Sequence, residues 1–253
     1  MDLKSFLAKS HCTDDPDFPH LKASYRQFFS DVAKFRQVVE IRDQSIRTKI
    51  HHLFRVQYLR DVVLARMLDD GTFGILNGFV FFTQVEIINY IQGNDAFLND
   101  LLSGFRDERP GTPDLDSPLD ERRRDIVLLL NQLMILGKGV QLPNRLALYR
   151  NLIDRGLLYA VEWSFRRNEA QLLHAGAEIL TLAVELDVNA VRMHVLKEDE
   201  AKRRSLIVDI IALLSRTKNM GLLSQVGDSL RNLLDTSGEE NVRHSRESNH
   251  GQR

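Results

Sequence analysis

Two long segments in the first third of the chain carry apolar side chains around nearly their whole circumference. They span residues 46–67 and 73–91. At about 100° of rotation per residue neither leaves a wide polar face, unlike a surface helix with one apolar stripe. The pattern predicts two helices that are buried on several sides, as in a layered helical stack.

Helical periodicity continues along most of the chain, and the alternation typical of strands is hardly seen. Before the central pair we expect helices at residues 1–11 and 21–35. The helices predicted after it span residues 95–105, 120–138, 146–154, 157–165, 170–186, 189–197, 205–217 and 221–234. Prolines and acids predict a loop at residues 106–118, and a tail at 237–253 with Val242 as its one aliphatic residue is expected to be disordered.

Three successive predicted helices, 157–165, 170–186 and 189–197, form one unit. A unit of roughly 40 residues has the scale of armadillo and HEAT repeats. The short links between the helices favour such an array over an irregular all-helical domain. We therefore predict an all-α, armadillo/HEAT-like helical repeat solenoid over residues 1–236, with the loop 106–118 inside it.

Composition and charge limit the classes of function that we expect for this chain. The 253 residues are 43% hydrophobic and 27% charged, which is typical of a globular protein, and the net charge of −1 predicts no general attraction to nucleic acid or anionic lipid. Cys12 is the single cysteine, so the chain has no internal disulfide. Apolar runs fall far short of the ~20 residues that cross a bilayer.

Neither a phosphate-binding glycine loop nor a histidine pair at metal spacing is present. We predict no enzyme activity, and no catalytic residue, cofactor, metal, membrane or small-molecule substrate.

Two basic runs, at residues 122–124 and 202–204, are the candidates for a nucleic-acid patch. Acidic residues flank both, namely Asp120, Glu121 and Asp125 for the first and Glu198, Asp199 and Glu200 for the second. Such mixed charge favours a solvated helix face over nucleic-acid binding.

A polar line on an otherwise apolar helix is the best candidate for a binding surface. Its members, at steps of three and four residues, are Gln171, His174, Glu178, Thr181 and Glu185. Comparable polar positions occur on an earlier and a later helix, namely Asn131 and Gln132, and Ser205, Asp209 and Arg216. Equivalent helices of a solenoid lie side by side, so we expect these lines to form the floor of one partner-binding groove. A merely solvated face is the alternative.

Glu86 is the sole charge on the second central segment and shares a face with Phe79, Phe82 and Tyr90. We expect this carboxylate to be partly buried, so that it needs a cation or several donors. Arg55 on the preceding helix has a planar guanidinium that suits a carboxylate. The predicted role of an Arg55–Glu86 pair is structural, fixing the register of the two helices.

Residues 49–64, KIHHLFRVQYLRDVVL, and 78–98, GFVFFTQVEIINYIQGNDAFL, closely resemble the protein phosphatase 4 regulatory subunit 3 family, also called SMEK or Falafel. In the first block the resemblance rests on Lys49, Ile50, His51, Arg55, Val56, Gln57, Tyr58, Asp61, Val63 and Leu64. In the second block it rests on Phe79, Phe81, Phe82, Val85, Glu86, Ile87, Gln92, Phe97 and Leu98. Weaker similarity continues to about Asp235.

The resemblance implies a regulatory or scaffolding subunit of a serine/threonine phosphatase. Its expected partners are the phosphatase 4 catalytic subunit and the other regulatory subunit of that complex, in the nucleus and the cytoplasm. In the family the matching region follows an EVH1-like domain that has no counterpart in these residues, so recruitment of substrates through short proline-containing motifs is not expected. A generic armadillo-type adaptor for extended peptides is the alternative.

Overall fold

A computed structural model describes residues 37–64, 68–106 and 118–235. Every regular element within these ranges is helical, which confirms the all-α prediction. The helices are α1 Gln44–Tyr58, α2 Asp70–Gln92, α3 Asp95–Arg106, α4 Pro118–Gly137, α5 Leu142–Arg155, α6 Leu157–Phe165, α7 Ala170–Glu200, α8 Leu206–Arg216 and α9 Met220–Leu234, with a π-helical turn Leu59–Val63 after α1. The helices predicted at 1–11 and 21–35, most of the loop 106–118 and the tail 237–253 lie outside the described residues.

The chain divides into two compact units between Thr83 and Gln84. In the first unit, the Asp43 side chain caps α1 by accepting hydrogen bonds from the backbone N–H groups of Ser45 and Ile46. Buried apolar residues of α1 and the π-helical turn form its core, namely Ile46, Leu53, Val56, Leu59 and Val63. The Arg60 guanidinium donates to Asn77 Oδ1 at 2.7 Å and so links the π-helical turn to α2.

The prediction that both central helices are buried on several sides is wrong for the described structure. Phe54 on α1 is 50% exposed, and Phe82 on α2 is 68% exposed. Further exposed apolar side chains of this unit are Val62, Phe73, Ile75, Phe79 and Phe81. Apolar composition determines how much free energy a helix gains when it is covered, but it does not supply the element that covers it.

Within the described residues, α2 is the one helix that is long and apolar enough to cross a membrane by length and composition. This differs from the expectation of short apolar runs, because the polar residues inside α2 are mostly uncharged. The core helix of a globular protein meets the same criterion, so α2 carries no membrane assignment.

The second unit is an array of stacked helices in two layers. In one layer α6 packs against α3 and α8, and in the other α7 packs against α4 and α9. The helix α7 is interrupted at Asp187, which has a φ of −152° and a ψ of 80°. The Asp187 carboxylate accepts a hydrogen bond from the Ala190 backbone N–H at 3.1 Å, as an N-cap does, so a second helical segment begins there.

This break divides the array into three successive repeats. The first contains α3 and α4, the second α5, α6 and the first half of α7, and the third the second half of α7, α8 and α9. Asn131 donates to Glu178, 47 residues further along the chain, and Thr181 bonds to Ser229, 48 residues further along. A constant separation of this size is the period of a helical repeat, as predicted.

The contact between α6 and α7 is unusually close because Gly176 faces Ser164. A Cβ atom added at Gly176 would lie 2.0 Å from Ser164 Oγ and 3.1 Å from Phe165 Cε1. Ser164 is fully buried, and its hydroxyl donates to the Val161 carbonyl at 2.7 Å. The absence of a side chain at Gly176 therefore allows the two helices to approach.

We expect Gly176→Ala to lower the free energy of unfolding by about 1–3 kcal/mol, the cost of overpacking a core. The added methyl group has to displace Ser164 Oγ from its buried hydrogen bond. Chemical denaturation followed by circular dichroism measures the effect. Gly227→Ala is the matched control, because a Cβ atom there meets nothing within 4 Å.

Combining Gly176→Ala with Ser164→Ala removes the hydroxyl that clashes, so the double variant should lose less stability than the two single losses added together. Additive losses would contradict this account of the contact.

Candidate functional site

The predicted polar line lies on the first half of α7. Gln171, His174 and Glu185 are exposed, whereas Glu178 and Thr181 are half-buried. We call these five residues the α7 polar line. Its position on α7 places it in the layer whose other helices are α4 and α9.

Hydrogen bonds connect the α7 polar line to both neighbouring helices. Asn131 Nδ2 on α4 donates to Glu178 Oε2 at 3.2 Å, and Gln132 beside it is exposed. Asn219, which caps α9, lies with its amide nitrogen 3.3 Å from His174 Nε2. Asn131 and Gln132 thus lie on the helix next to the α7 polar line, as predicted. Among the described residues, the buried Asn131 Oδ1 has no hydrogen-bond partner.

The prediction that Asp209 and Arg216 lie beside the α7 polar line is wrong. Both are on α8, which belongs to the layer of α3 and α6. Asp209 is 2% exposed, and its carboxylate binds Arg204 Nε at 2.5 Å and Arg166 Nε at 2.9 Å. The two residues connect repeats and do not form the floor of a groove.

Arg216 holds α8 against the end of α6. Its guanidinium donates to Asn168 Oδ1 at 2.8 Å, to the Arg167 carbonyl at 2.8 Å and to the Phe165 carbonyl. Ser205, the third member of the predicted line, caps α8 by accepting a hydrogen bond from the Ile207 backbone N–H.

A second polar cluster, which the sequence analysis missed, lies between the second and third repeats. His194 Nε2 lies 3.0 Å from Glu162 Oε1, and both side chains are buried. The Tyr159 hydroxyl donates to Glu198 Oε1 at 2.6 Å, and the Arg203 guanidinium binds the same carboxylate at 2.7 Å. Burial raises the pKa of Glu162, whereas the hydrogen bond from Arg203 lowers the pKa of Glu198.

The spacing rule that identified the α7 polar line also identifies this cluster. Tyr159, Glu162 and Arg166 follow at steps of three and four residues on α6, and His194 and Glu198 are one helical turn apart on α7. The pattern shows that such residues share a face. It does not show whether that face meets water or a neighbouring helix.

The two basic runs are not merely solvated faces. Arg123 donates to the Gly104 carbonyl at 2.9 Å, and Arg124 Nε binds the Glu169 carboxylate at 2.8 Å. In the second run, Arg203 and Arg204 bind the buried carboxylates of Glu198 and Asp209. The charge pattern along the sequence did not reveal these contacts. The Gly104 carbonyl lies at the end of another helix, and Glu169, Glu198 and Asp209 lie on other turns than the arginines that bind them.

The structure contradicts the expected burial of Glu86. Its side chain is exposed, and so is that of Arg55. An exposed carboxylate keeps its hydration, so the argument that it needs a buried cation is wrong. The Arg55–Glu86 pair stays a prediction, and between exposed partners it would contribute little to stability.

We expect Asp209→Ala to destabilise the protein by about 1.5–3 kcal/mol, because it removes a buried carboxylate that accepts hydrogen bonds from Arg166 and Arg204. Thermal or chemical unfolding measures the loss. The control is Asp228→Ala, which removes a similar pair with Arg231 at 2.9 Å that is exposed on both sides, and it should change stability by less than about 1 kcal/mol. Equal losses in the two variants would contradict a structural role for Asp209.

Glu198→Gln should lower the free energy of unfolding by about 1–2 kcal/mol at neutral pH, because it weakens the hydrogen bonds from Arg203 and Tyr159. The lowered pKa of Glu198 means that the stabilisation is complete above its ordinary pKa of 4.5 and is lost as the pH falls through the lowered value. Urea unfolding at a series of pH values from neutral downward should therefore show a gap between wild type and variant that is constant above the ordinary pKa of 4.5 and narrows as the pH falls below it. Glu200→Gln, at an exposed position on the same helix, is the control; a gap that is independent of pH would contradict the assignment.

Within the described residues, no group of three or more histidine, cysteine, aspartate or glutamate side chains is placed to hold a metal ion. The α7 polar line offers hydrogen-bond donors, acceptors and charges on a helix packed between α4 and α9. Such an arrangement suits the binding of another protein.

The chain matches the family model described as Phosphatase 4 regulatory subunit 3 over residues 14–253. It is 32% identical over 234 residues to an uncharacterized protein of Schizosaccharomyces pombe. The matched region covers 88% of this chain and 27% of that protein. It is 30% identical over 228 residues to serine/threonine-protein phosphatase 4 regulatory subunit 3 of Drosophila melanogaster, covering 87% of this chain and 22% of that protein. Suppressor of Mek1 of Dictyostelium discoideum is 28% identical over 214 residues, covering 85% of this chain and 20% of that protein.

The chain thus spans between a fifth and about a quarter of the length of these relatives. No solved structure gives a significant match. The family match over residues 14–253 shows that the chain belongs to the phosphatase 4 regulatory subunit 3 family, a family of regulatory and not catalytic subunits.

Proposed function

We propose that this chain is a non-catalytic scaffolding segment of a phosphatase 4-type complex, and that it binds protein partners through the α7 polar line. The observation that carries the proposal is the exposure of Gln171, His174 and Glu185 along one side of a helix that α4 and α9 hold in place. Membership of a family of regulatory subunits supports it.

The surroundings of the α7 polar line support a preformed surface. Bonds to α4 and α9 fix Glu178 and Thr181, so binding requires little ordering of the helix that carries them. The exposed members combine an amide, an imidazole and a carboxylate, which can donate and accept hydrogen bonds. Gln132 on α4 extends the exposed polar surface.

The proposed partners are the phosphatase 4 catalytic subunit and the other regulatory subunit of the complex, and the proposed locations are the nucleus and the cytoplasm. The name of the Drosophila melanogaster relative, serine/threonine-protein phosphatase 4 regulatory subunit 3, supports the association with a phosphatase 4 catalytic subunit. No part of this proposal gives the chain a substrate or a reaction of its own.

A second candidate function is that of an armadillo-type adaptor for extended peptides. The exposed side chains of Gln132 and Gln171 favour it, because a primary amide can both donate a hydrogen bond to a peptide backbone and accept one from it. The two candidates use the same surface and differ in the partner.

The double variant Gln132→Lys, Glu185→Lys tests the surface. Both side chains are exposed, so the fold should tolerate the change, whereas the added positive charge should reduce co-purification of the phosphatase 4 catalytic subunit from a cell lysate by about tenfold, the size of an interface hot spot. Gln171 and Glu178 are left unchanged because they accept hydrogen bonds from Arg124 and Asn131. Quantitative immunoblotting of the captured material measures the effect.

The matched control is Gln141→Lys, Glu200→Lys, which introduces the same charges at exposed positions away from the line. It should capture the catalytic subunit as wild type does. Undiminished capture by the first variant would contradict a partner-binding role for the α7 polar line. Capture of basic peptides without phosphatase subunits would instead favour the adaptor.

A further inference from the structure

The helix α1 contains arginine, lysine and histidine side chains but no acidic residue. Two arginines and a histidine follow at steps of four residues, and two aromatic residues lie on the same side of the helix. The five positions fall within about 100° of the circumference. They are Arg47, His51, Phe54, Arg55 and Tyr58, which we call the α1 basic face.

The α1 basic face points away from the core of the first unit. The buried residues of α1 lie on the opposite side of the helix, namely Ile46, Leu53 and Val56. Phe54 and Arg55 are exposed, and the other members of the face are half-buried. The charged side chains of this face therefore reach the surface of the protein.

The described carboxylates that form hydrogen bonds in the first unit are bound elsewhere. Asp43 accepts hydrogen bonds from the backbone at the start of α1. Asp61 binds Arg60 Nε at 2.5 Å, and Asp69 accepts a hydrogen bond from the Thr72 hydroxyl at 2.7 Å. These acids therefore do not neutralise the α1 basic face.

The positive charge of this face acts on the imidazole in its centre. The pKa of His51 is lowered, first by burial and then by the charges of Arg55, Arg47 and His52. The predicted pair of Arg55 with Glu86 joins two exposed side chains, so it would hold the guanidinium only weakly. A carboxylate from another molecule can therefore compete for Arg55.

We propose that the α1 basic face binds an acidic segment of another protein. Arg47 and Arg55 are eight residues apart, which is about 12 Å along a helix axis. Two carboxylates at about this separation can each accept a pair of hydrogen bonds from one guanidinium. Phe54, which is 50% exposed beside Arg55, adds contact with an apolar side chain. This face belongs to the first unit and the α7 polar line to the second, so the proposal does not rest on the proposed function.

The composition of the face favours a protein segment over nucleic acid. Non-specific affinity for nucleic acid depends on the number of phosphates that are neutralised, and the two permanent charges of Arg47 and Arg55 supply little of it at physiological salt. An acidic protein segment can present an apolar side chain to Phe54 in addition to its carboxylates. It can also donate a hydrogen bond to His51, because the lowered pKa leaves this imidazole neutral at neutral pH.

Fluorescence anisotropy of the full chain with a labelled peptide of alternating glutamate and leucine tests the proposal. Wild type should bind this probe, and the binding should weaken as the salt concentration rises. The double variant Arg47→Gln, Arg55→Gln should bind it at least about tenfold less tightly, because it removes both guanidinium groups. Phe54→Ala should weaken binding of this probe but not of a peptide of alternating glutamate and serine.

The matched control is Arg122→Gln, Arg231→Gln, which removes the same charge from arginines of the second unit whose side chains are 47% and 77% exposed. It should bind the probe as wild type does. Circular dichroism should show unchanged helix content in all variants. If the double variant loses helix, the single variant Arg55→Gln, at an exposed position, provides the measurement.

Equal losses in the double variant and in its control would overturn the proposal, because binding would then depend only on total charge. A wild type that binds neither glutamate peptide would overturn it as well. Tighter binding of a single-stranded thymidine oligonucleotide than of the glutamate–leucine peptide would replace the protein partner by nucleic acid.

Discussion

The burial of each helical repeat against the next is the interaction on which the second unit depends. A repeat of two or three helices has no core of its own, so its apolar faces are stable only when a neighbour covers them. The helix α7 serves two repeats, because its first half packs between α4 and α9 and its second half, after the break at Asp187, opens the third repeat. The close contact at Gly176 allows α6 to approach α7 and closes the core of the second repeat.

Charged groups buried between the repeats determine how the repeats align. Three bonds cross from the second repeat to the third: Arg166 to Asp209, Glu162 to His194, and Tyr159 to Glu198. Apolar contacts alone tolerate small shifts between helices, whereas an unpaired buried charge costs several kcal/mol, so these pairs favour a single register. A fixed register keeps the α7 polar line and its neighbours on α4 and α9 in one arrangement.

The described residues of the second unit expose side chains of two kinds, polar ones on α7 and aliphatic ones on α8. The α7 polar line presents hydrogen-bonding groups on rigid helices, which favours a partner that recognises particular donors and acceptors. Val208 and Ile211 on α8 are exposed aliphatic side chains, which would gain free energy by burial against another apolar surface. The two groups of side chains lie on different layers of the array.

Within the described residues, the sequence by itself determined where most helices lie and which residues share a helical face. The period of 3.6 residues is a local property, so it predicted α6 and the break near Asp187, and the resemblance in two blocks identified the family. The same period did not distinguish among the polar residues of α6, α7 and α8. Spacing shows that such residues share a helical face, but not whether that face meets water or a neighbouring helix. Only the tertiary structure decided that Gln171 and Glu185 face outward, that Asp209 is buried beside Arg166, and that Glu86 is exposed. The physical reason is that burial depends on residues about 40 to 50 positions away, which pack there only when the repeats stack.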